Sequence, residues 1–339
     1  EFKKLVEEAH KRGIKVILDL VVNHTGYNSP WLKDPEKKDW FHENRPIMNW
    51  NNQEEVENGW VSGLPDLDQD NPEVEDYLIA MAKWWIQETD IDGYRLDTVK
   101  HVPKSFWEDF TKEVKSVKKD FFLIGEVWHN DPKYIADYGK TGIDSFVNYP
   151  FYNIASTVFN SPGHSIGKLY SVWKRDESLY NNPYILGNFI DNHDNPRFAR
   201  VVLESGGNPI TQLKLALSYM YTVPGVPIIY YGTEVAMDGG NDPDNRRMME
   251  FDENELIPFI SKLAEIRKEH RALSRGEYEF LIDRGGFAVY KRQDGNETLV
   301  IAINNTDEDQ TVKVPAESFK SNGQLKPLLN GDKAIRGKD

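Results

Sequence analysis

The sequence predicts an α/β protein built on a parallel (β/α)8 barrel of the TIM type, followed by a smaller antiparallel β domain. Three observations predict this architecture. Short apolar runs of strand length alternate with amphipathic helical stretches, as in parallel sheets. Several of these runs end in polar residues, and barrels of this type build their active sites at the carboxyl ends of the strands. After about Glu277 the pattern changes to short alternating strands separated by turn sequences.

Six barrel-type strands can be placed along the chain, near residues 16, 91, 122, 144, 186 and 226. Helices are predicted beside them at 1–12, 74–89, 103–117, 162–174, 209–221 and 257–270. A closed barrel of this type has eight strands. The six are therefore expected to be strands 3–8 of a partial barrel, and the chain is expected to be an internal fragment that lacks the first two strand–helix units.

The domain organisation follows from these elements. The long irregular stretch 28–70 carries four tryptophans, and long loops inside compact domains are usually functional or disordered. The barrel then comprises residues 1–27 and 71–275. Residues 276–339 are expected to form an incomplete C-terminal β-sandwich domain, with strands at 278–282, 287–292, 298–304 and 310–314.

The composition limits the possible partners. The chain has 41 Lys and Arg against 55 Asp and Glu, a net charge of −14, which disfavours nucleic acid or an anionic membrane and allows a neutral sugar. The aromatic content of 12% weakly favours a carbohydrate ligand, since aromatic rings stack on sugars. The absence of cysteine excludes disulfides, thiolate catalysis and cysteine-ligated zinc. No apolar run is long enough to span a bilayer, and the oligomeric state is left open.

The strongest local signal is the stretch 92–102, Asp-Gly-Tyr-Arg-Leu-Asp-Thr-Val-Lys-His-Val. Arg95 and Asp97 are two residues apart and so share one face of a strand. An arginine favours the ionised form of a neighbouring carboxylate, which makes Asp97 a candidate nucleophile. Taken alone, the pair is equally well explained as a buried ion pair at a strand end.

The same arrangement recurs elsewhere in the chain. Glu126 ends one apolar run, His193 and Asp194 end another, and Asn23 and His24 end a third. A single such residue is more often an ion-pair or capping partner than a catalyst. Three carboxylates and two histidines at the ends of successive strands are instead expected to converge on one mouth of the barrel.

These four segments resemble the four signature regions of the alpha-amylase family, glycoside hydrolase family 13. They occur in the expected order over nearly the whole chain, and Leu-Pro-Asp-Leu at 64–67 resembles the family's fifth region. Residues 93–102 are especially similar to true alpha-amylases. The resemblance implies that residues 28–70 are the small loop-rich domain that this family inserts after its third barrel strand. The resemblance implies endo-acting, retaining hydrolysis of α-1,4-glucosidic bonds in starch and related α-glucans or malto-oligosaccharides, through a covalent glycosyl-enzyme intermediate.

The resemblance also implies a role for each site residue. Asp97 matches the nucleophile, Glu126 the general acid/base, and Asp194 the carboxylate that stabilises the oxocarbenium-like transition state. The apolar neighbours of Glu126 are expected to favour its protonated form. Seven further residues are predicted to bind substrate, with Lys100 and His101 on the leaving side of the cut: His24, Arg95, Lys100, His101, Trp128, His193 and Arg197.

The family resemblance further implies a structural calcium ion, and oxygen ligands of the kind present here suit Ca²⁺. Asn23, Asp66 and the backbone carbonyl of His101 match the positions that hold it, while a fourth protein ligand is not placed. A transition-metal cluster of His24, His193 and Asp194 is a remote alternative, because the spacing matches no zinc signature.

Two functional alternatives to an alpha-amylase stay open. The loop 239–247 resembles amylases and also maltogenic, neopullulanase-like members, so a cyclomaltodextrinase- or neopullulanase-like maltogenic hydrolase or transglycosylase is possible. A catalytically silent sugar-binding fragment is the other alternative to an alpha-amylase, because an unclosed barrel leaves strand edges bare. An extracellular location is expected from the resemblance, since starch is too large to enter a cell.

Overall fold

The computed structural model describes residues 1–314 and 326–329. The chain forms two compact units, Glu1–Val147 and Asn148–Asp339. This division does not follow the predicted domain boundaries, because the predicted inserted domain lies in the first unit and the predicted C-terminal domain in the second. Among the described residues, no helix combines the length and the apolar character that a membrane span requires.

The first unit is built on four short strands: β1 (Ile17–Leu20), β2 (Gly93–Leu96), β3 (Phe122–Gly125) and β4 (Ser145–Phe146). They form one parallel sheet in the order β1-β2-β3-β4. This confirms the first four predicted strands, although each is shorter than its apolar run. Five helices accompany them: α1 (Phe2–Lys11), α2 (Gln53–Asn58), α3 (Pro72–Thr89), α4 (Lys104–Val117) and α5 (Pro132–Asp137).

Local sequence explains why β2 lies where it does. Helix α3 begins at Asn71, whose side chain accepts a hydrogen bond from the Glu73 amide, and it ends at Asp90 in a left-handed conformation. Strand β2 follows at once, and its Tyr94 is fully buried with its ring centroid 5.0 Å from that of Phe121. Burial of this aromatic side chain anchors the middle of the sheet and therefore the residues that follow it.

The stretch 28–70 contains only short elements. Besides α2 these are 3-10 turns at Pro30–Lys33, Pro35–Trp40 and Val61–Gly63. Isolated bridges join His24 to Asp66 and Phe41 to Leu67, so the end of this stretch returns to the end of β1. Its status as a separate domain stays a prediction.

The second unit contains the parallel strands β5 (Gly187–Asn188) and β6 (Val226–Pro227), which pair with each other. Its helices are α6 (Tyr149–Val158), α7 (Gly167–Leu179), α8 (Phe198–Glu204), α9 (Pro209–Thr222), α10 (Leu256–Glu269) and α11 (Arg271–Arg275). Helices α6 and α8 are absent from the sequence-based prediction, and α7 begins five residues later than predicted. The Asn148 side chain starts α6 by accepting a hydrogen bond from the Phe151 amide at 3.0 Å.

The second unit also contains an antiparallel sheet with the order β7 (Glu277–Arg284), β8 (Phe287–Asp294) and β9 (Glu297–Asn304). Helix α9 packs on it through hydroxyl contacts, 2.7 Å between Tyr219 and Tyr278 and 2.6 Å between Thr222 and Tyr290. The three predicted strands are confirmed. The fourth, at 310–314, is wrong, because those residues have no regular secondary structure. Most of the remaining predicted C-terminal domain lies outside the described residues.

Candidate active site

Two of the predicted catalytic carboxylates follow neighbouring strands of the first unit. Asp97 is the first residue after β2 and Glu126 the first after β3. The Asp97 amide donates to the Leu20 carbonyl at 3.0 Å, and the Glu126 amide donates to the Leu96 carbonyl at 2.8 Å. These bonds extend the ladder of the sheet by one residue, so the main chain at both carboxylates is fixed by the sheet itself.

One arginine contacts both carboxylates. Arg95 Nη1 donates to Asp97 Oδ1, and Nη2 lies 3.1 Å from Glu126 Oε1. The opposite residue on β1, Asp19, accepts from the same Nη1 at 3.1 Å. Burial alone would lower the pKa of the Arg95 guanidinium, but the charges of Glu126, Asp19 and Asp97 outweigh it and raise that pKa. Arg95 is therefore a permanent cation between the two candidate catalytic groups.

Glu126 receives a second donor from the chain that follows Asp97. Thr98 has a left-handed backbone with φ of 47°, a conformation that is strained for a β-branched residue. It directs the Thr98 amide to Glu126 Oε2 at 2.9 Å. Each oxygen of the Glu126 carboxylate therefore has a donor or cation beside it, Arg95 at Oε1 and the Thr98 amide at Oε2.

Two predicted substrate residues of the first unit, His24 and Lys100, lie close enough to the carboxylates to be affected by their charges. Burial lowers the pKa of His24, and the charge of Asp97 opposes that effect. Lys100 donates to the Trp128 carbonyl at 2.8 Å, and its Nζ lies 5.0 Å from the ring centroid of Trp50. Burial lowers the pKa of Lys100, an effect that the charge of Glu126 opposes. The rings of Trp50 and Trp128 are both exposed.

His101 requires a correction. Its side chain was predicted to contact substrate, but the residue is only 3% exposed, and Nδ1–H donates to the Val56 carbonyl at 3.0 Å. Burial, aided by the nearby Lys100 charge, lowers its pKa to about 4. The ring is thus neutral and interior, with almost no surface for a sugar. Trp50, which packs edge-on against it at 5.8 Å, is the exposed aromatic there, and its only signal in the sequence is a tryptophan in a long irregular stretch.

In the second unit, His193 and Asp194 lie in the turn that follows β5. His193 Nε2 is 3.2 Å from Asp194 Oδ2, and the Asp194 amide donates to the Asn192 side chain at 3.0 Å. Arg246 Nη2 donates to the other carboxylate oxygen, Oδ1, at 3.2 Å. Arg246 is absent from the predicted site residues, because nothing in the 239–247 sequence indicates which of its two arginines turns toward Asp194.

Arg197 also requires a correction. It was predicted to bind substrate, but it has no exposed surface. Its guanidinium donates to the Tyr231 carbonyl at 2.5 Å and to the Asn245 carbonyl at 3.1 Å, and lies over the rings of Tyr230 and Tyr231. A cation enclosed in this way supports the 231–245 chain and cannot touch a sugar directly.

The side-chain oxygens of the predicted calcium ligands show whether these residues suit a calcium ion. Asn23 and Asp66 are fully buried, and Oδ1 of each has no hydrogen-bond partner, which is unusual for buried polar atoms. Burial raises the pKa of Asp66 to about 7, an effect opposed by His42, whose Nδ1 lies 2.8 Å from Oδ2. Two unpaired hard oxygens on adjacent segments fit a calcium ion. Within the described residues, no group of three or more His, Cys, Asp and Glu side chains could hold a metal, so the fit rests on amide and carbonyl oxygens as well.

Comparison with known proteins gives two family matches. Residues 1–256 match the model of the alpha amylase catalytic domain, and residues 276–339 match that of the alpha-amylase C-terminal domain. The first match contains every predicted site residue of both units.

Curated relatives are similar over most of this chain but are longer. A beta/alpha-amylase of Paenibacillus polymyxa is 39% identical over 98% of the chain, which spans 28% of that protein. A cyclomaltodextrinase of Geobacillus thermopakistaniensis is 34% identical over 93% of the chain, and the match covers 55% of that relative's length. A maltogenic alpha-amylase of Bacillus acidopullulyticus is 30% identical over 98% of the chain, and the match covers 58% of that relative's length. The chain therefore spans between 28% and 58% of the length of these three relatives.

Two solved structures superimpose on the entire chain. An alpha-amylase of Anoxybacillus has a TM-score of 0.97 at 60% identity, with 75% of its own chain covered. An alpha-amylase of Geobacillus thermoleovorans, complexed with acarbose, has a TM-score of 0.97 at 56% identity, with 76% covered. These matches confirm the predicted fold class, an α/β catalytic domain followed by a C-terminal antiparallel sheet. Because the catalytic-domain model covers most of the sequence, the chain belongs to the alpha-amylase family.

Proposed function

We propose that this chain carries out retaining hydrolysis of α-1,4-glucosidic bonds in malto-oligosaccharides, with the maltogenic or cyclomaltodextrinase type of specificity. The observation that supports the chemistry is the position of Arg95, which contacts both Asp97 and Glu126 at the ends of adjacent strands. Retaining glycosidases need two carboxyl groups about 5–5.5 Å apart, one nucleophilic and one able to carry a proton. A shared guanidinium holds such a pair close together.

The proposed reaction has two steps. Asp97 attacks the anomeric carbon while Glu126 gives its proton to the departing glycosidic oxygen, so that a glycosyl ester forms on Asp97 and the shortened glucan leaves. Glu126, now a carboxylate, then takes a proton from water, which attacks the same carbon and releases Asp97. Arg95 orients the Asp97 carboxylate through their direct contact. Glu126 must carry a proton at the start of the first step, and its contacts in the free protein are Arg95 and the Thr98 amide.

The proposed role of Asp194 rests on the family resemblance. In that role it stabilises positive charge on the sugar in the transition state, as an ionised carboxylate can. His193 Nε2 lies 3.2 Å from one oxygen of Asp194, and Arg246 donates to the other.

The product class is proposed from the relatives. Cyclomaltodextrinases and a maltogenic alpha-amylase are 30–34% identical to this chain, which favours short or cyclic maltodextrins as substrates. An endo-acting alpha-amylase is the second candidate, favoured by the names of the two solved structures at 60% and 56% identity. Secretion is proposed from the size of starch alone, and relatives named intracellular maltogenic amylase from Bacillus subtilis, at 30% identity, do not favour it.

The test is product analysis with soluble starch, pullulan and β-cyclodextrin as substrates of the 339-residue chain. The maltogenic type predicts maltose from starch at the earliest times and ring opening of the cyclodextrin. The endo-acting type predicts long oligosaccharides first and an intact cyclodextrin. Proton NMR of the first product distinguishes retention from inversion. Inversion, or full activity of the Glu126→Gln variant, would refute the proposed chemistry.

We also propose that Asn23, Asp66 and the backbone carbonyl of His101 hold a calcium ion. When bound, the ion supplies a structural positive charge to the buried oxygens at the end of β1 and the end of the inserted stretch. It takes no part in the proposed bond-breaking steps.

A further inference from the structure

The first residue of helix α2, Gln53, binds the main chain of the turn that follows Asp97 in the first unit. Its Nε2 donates to the Lys100 carbonyl at 2.9 Å and to Glu57 Oε1 at 2.7 Å. Its Oε1 accepts from the Tyr134 hydroxyl at 2.6 Å. A carbonyl can only accept, so the NH2 end of the amide must face Lys100. Both ends of the Gln53 side chain are therefore bound at once.

Helix α2 contacts this turn at two successive residues. Besides the bond from Gln53 to the Lys100 carbonyl, the Val56 carbonyl accepts from His101 Nδ1 at 3.0 Å. The turn itself is one 3-10 turn, Val99–His101, and is too short to fix its own carbonyl groups by helical bonds. The direction of the Lys100 peptide group is therefore set from outside the turn, by a side chain of α2.

The side chain of Lys100 extends from this fixed peptide toward the proposed acid. Its Nζ donates at 2.8 Å to the carbonyl of Trp128, which is two residues beyond Glu126, and lies 5.0 Å from the ring centroid of Trp50. An ammonium group has three protons to donate, so it can also bind a sugar hydroxyl. In the proposed reaction Glu126 protonates the departing oxygen. The Lys100 ammonium is therefore placed to bind the departing sugar.

We propose that Gln53 is a positioning residue that, by holding the Lys100 carbonyl, sets the position of the Lys100 ammonium on the side of the departing sugar. Lysine has a long flexible stem, so the position of its charge depends on how its main chain is anchored. Groups that act on a substrate must be held close to their productive geometry. The inference rests on the proposed function for its effect on turnover, but not for its effect on the position of Lys100.

The kinetic test compares two substrates. Maltohexaose leaves a sugar on the departing side, whereas α-maltosyl fluoride releases only fluoride. Gln53→Met, which keeps the length of the side chain, should lower kcat/KM for maltohexaose by about 10-fold and change that for the fluoride by less than about 3-fold. Tyr134→Phe is the matched control, because it removes the contact at the other end of the amide and leaves the donor to Lys100. Its kcat/KM should stay within about 3-fold of the parent for both substrates. Equal losses with the two substrates, or equal losses in the two variants, would overturn the inference.

A double-variant cycle tests whether Gln53 acts through Lys100. If it does, Gln53→Met should cause no further loss of kcat/KM for maltohexaose in a chain that already carries Lys100→Met. Losses that multiply in the double variant would show that Gln53 acts independently of Lys100, and would overturn the inference.

A further measurement separates this inference from the proposed function. Crystal structures of the parent chain and of Gln53→Met should show the Lys100 ammonium displaced from the Trp128 carbonyl in the variant. If Gln53→Met does not fold, Gln53→Glu replaces it in all three measurements, because it keeps an acceptor for Tyr134 and puts an oxygen against the Lys100 carbonyl. An ammonium in the same position in parent and variant would overturn the inference, whether or not the parent hydrolyses any glucan. A displaced ammonium, with a parent that hydrolyses no glucan, would support the positioning role and reject the proposed function.

Discussion

The two units hold their candidate catalytic carboxylates by different means. In the first unit, backbone amides that continue the sheet ladder fix Asp97 and Glu126 immediately after β2 and β3. In the second unit, Asp194 follows a strand of only two residues, and the side chains of His193 and Arg246 determine its surroundings. The first arrangement is part of the sheet, whereas the second depends on a loop that crosses the Asp194 segment.

This difference indicates which of the candidate catalytic carboxylates can have different surroundings without a change in the sheet. Changing the surroundings of Asp97 or Glu126 would disturb the ladder between neighbouring strands, which is shared with the core around Tyr94. Changing the loop 239–247 alters the donors of Asp194 without touching a strand. The same loop resembles both amylases and maltogenic enzymes in sequence. We therefore expect differences between subfamilies to act through the second unit.

The largest expected effect is the loss of turnover in Asp97→Asn. An amide is a poor nucleophile, so kcat should fall by at least about 10³-fold. The thermal midpoint should change little, because Arg95 keeps Glu126 and Asp19 as partners. Asp19→Asn is the matched control: it removes another carboxylate from the same guanidinium, but at a solvent-exposed position. Rates of Asp19→Asn should stay within about 3-fold of the parent.

Equal losses of kcat in both variants would contradict the nucleophile assignment. They would mean that turnover depends on the negative charge beside Arg95 and not on attack by Asp97.

The second prediction concerns pH and the interior of the second unit. Asp176 on α7 is buried, accepts from Asn148 at 3.0 Å, and leaves its Oδ1 without a partner. Burial raises its pKa to about 7 from 3.8, against the opposing effects of Asn148 and Arg175. Between these values the folded chain keeps a proton that the unfolded chain has lost. The free energy of unfolding should therefore fall as pH rises from about 4 to about 7, by up to about 4 kcal/mol, and level off above.

Asp176→Asn tests this directly, because an amide of the same shape does not ionise. The variant and the parent should have similar urea midpoints at pH 4, and the variant should be more stable at pH 8. Glu204→Gln, an exposed carboxylate at the end of α8 in the same unit, controls for the loss of one negative charge. A constant difference between Asp176→Asn and the parent from pH 4 to pH 8 would contradict the prediction.

The parallel strands could be predicted because runs such as Val16–Val22 and Phe121–Val127 are apolar and of strand length. The positions of Asp97 and Glu126 after neighbouring strands could be predicted because both residues end such runs. Helix α6 could not, because its Tyr-Pro-Phe-Tyr start has no helical periodicity, and its stability comes from the Asn148 cap and the burial of Phe151. The enclosed position of Arg197 and the contact of Arg246 with Asp194 could not be predicted either. Arg197 is interior because its partners are backbone carbonyls, and carbonyls carry no signal in a sequence.

The third prediction compares two arginines in the second unit. Arg197→Met removes the enclosed guanidinium that donates to the carbonyls of Tyr231 and Asn245, which should lower the free energy of unfolding by about 3 kcal/mol. Arg200→Met removes a partly exposed ion pair with Asp238 and should cost under about 1 kcal/mol. Urea unfolding monitored by tryptophan fluorescence measures both. Equal losses would show that the enclosed position of Arg197 contributes nothing beyond an ordinary surface pair.

The smallest expected effect is that of calcium on the first unit. If Asn23 and Asp66 hold the ion through their unpaired oxygens, Ca²⁺ at 100 times its dissociation constant should stabilise the folded chain by about 2.7 kcal/mol. Calorimetric melting in CaCl2 and in EGTA measures this without any assay of activity. Asp66→Asn should abolish the difference, and Mg²⁺ should not replace Ca²⁺, because it demands a smaller octahedral site. Asp68→Asn is the control, since Asp68 is a partly exposed carboxylate two residues away. If the melting temperature of Asp66→Asn still rises with calcium, the ion binds elsewhere. The main chain at the end of β1 would then be stable without a bound ion.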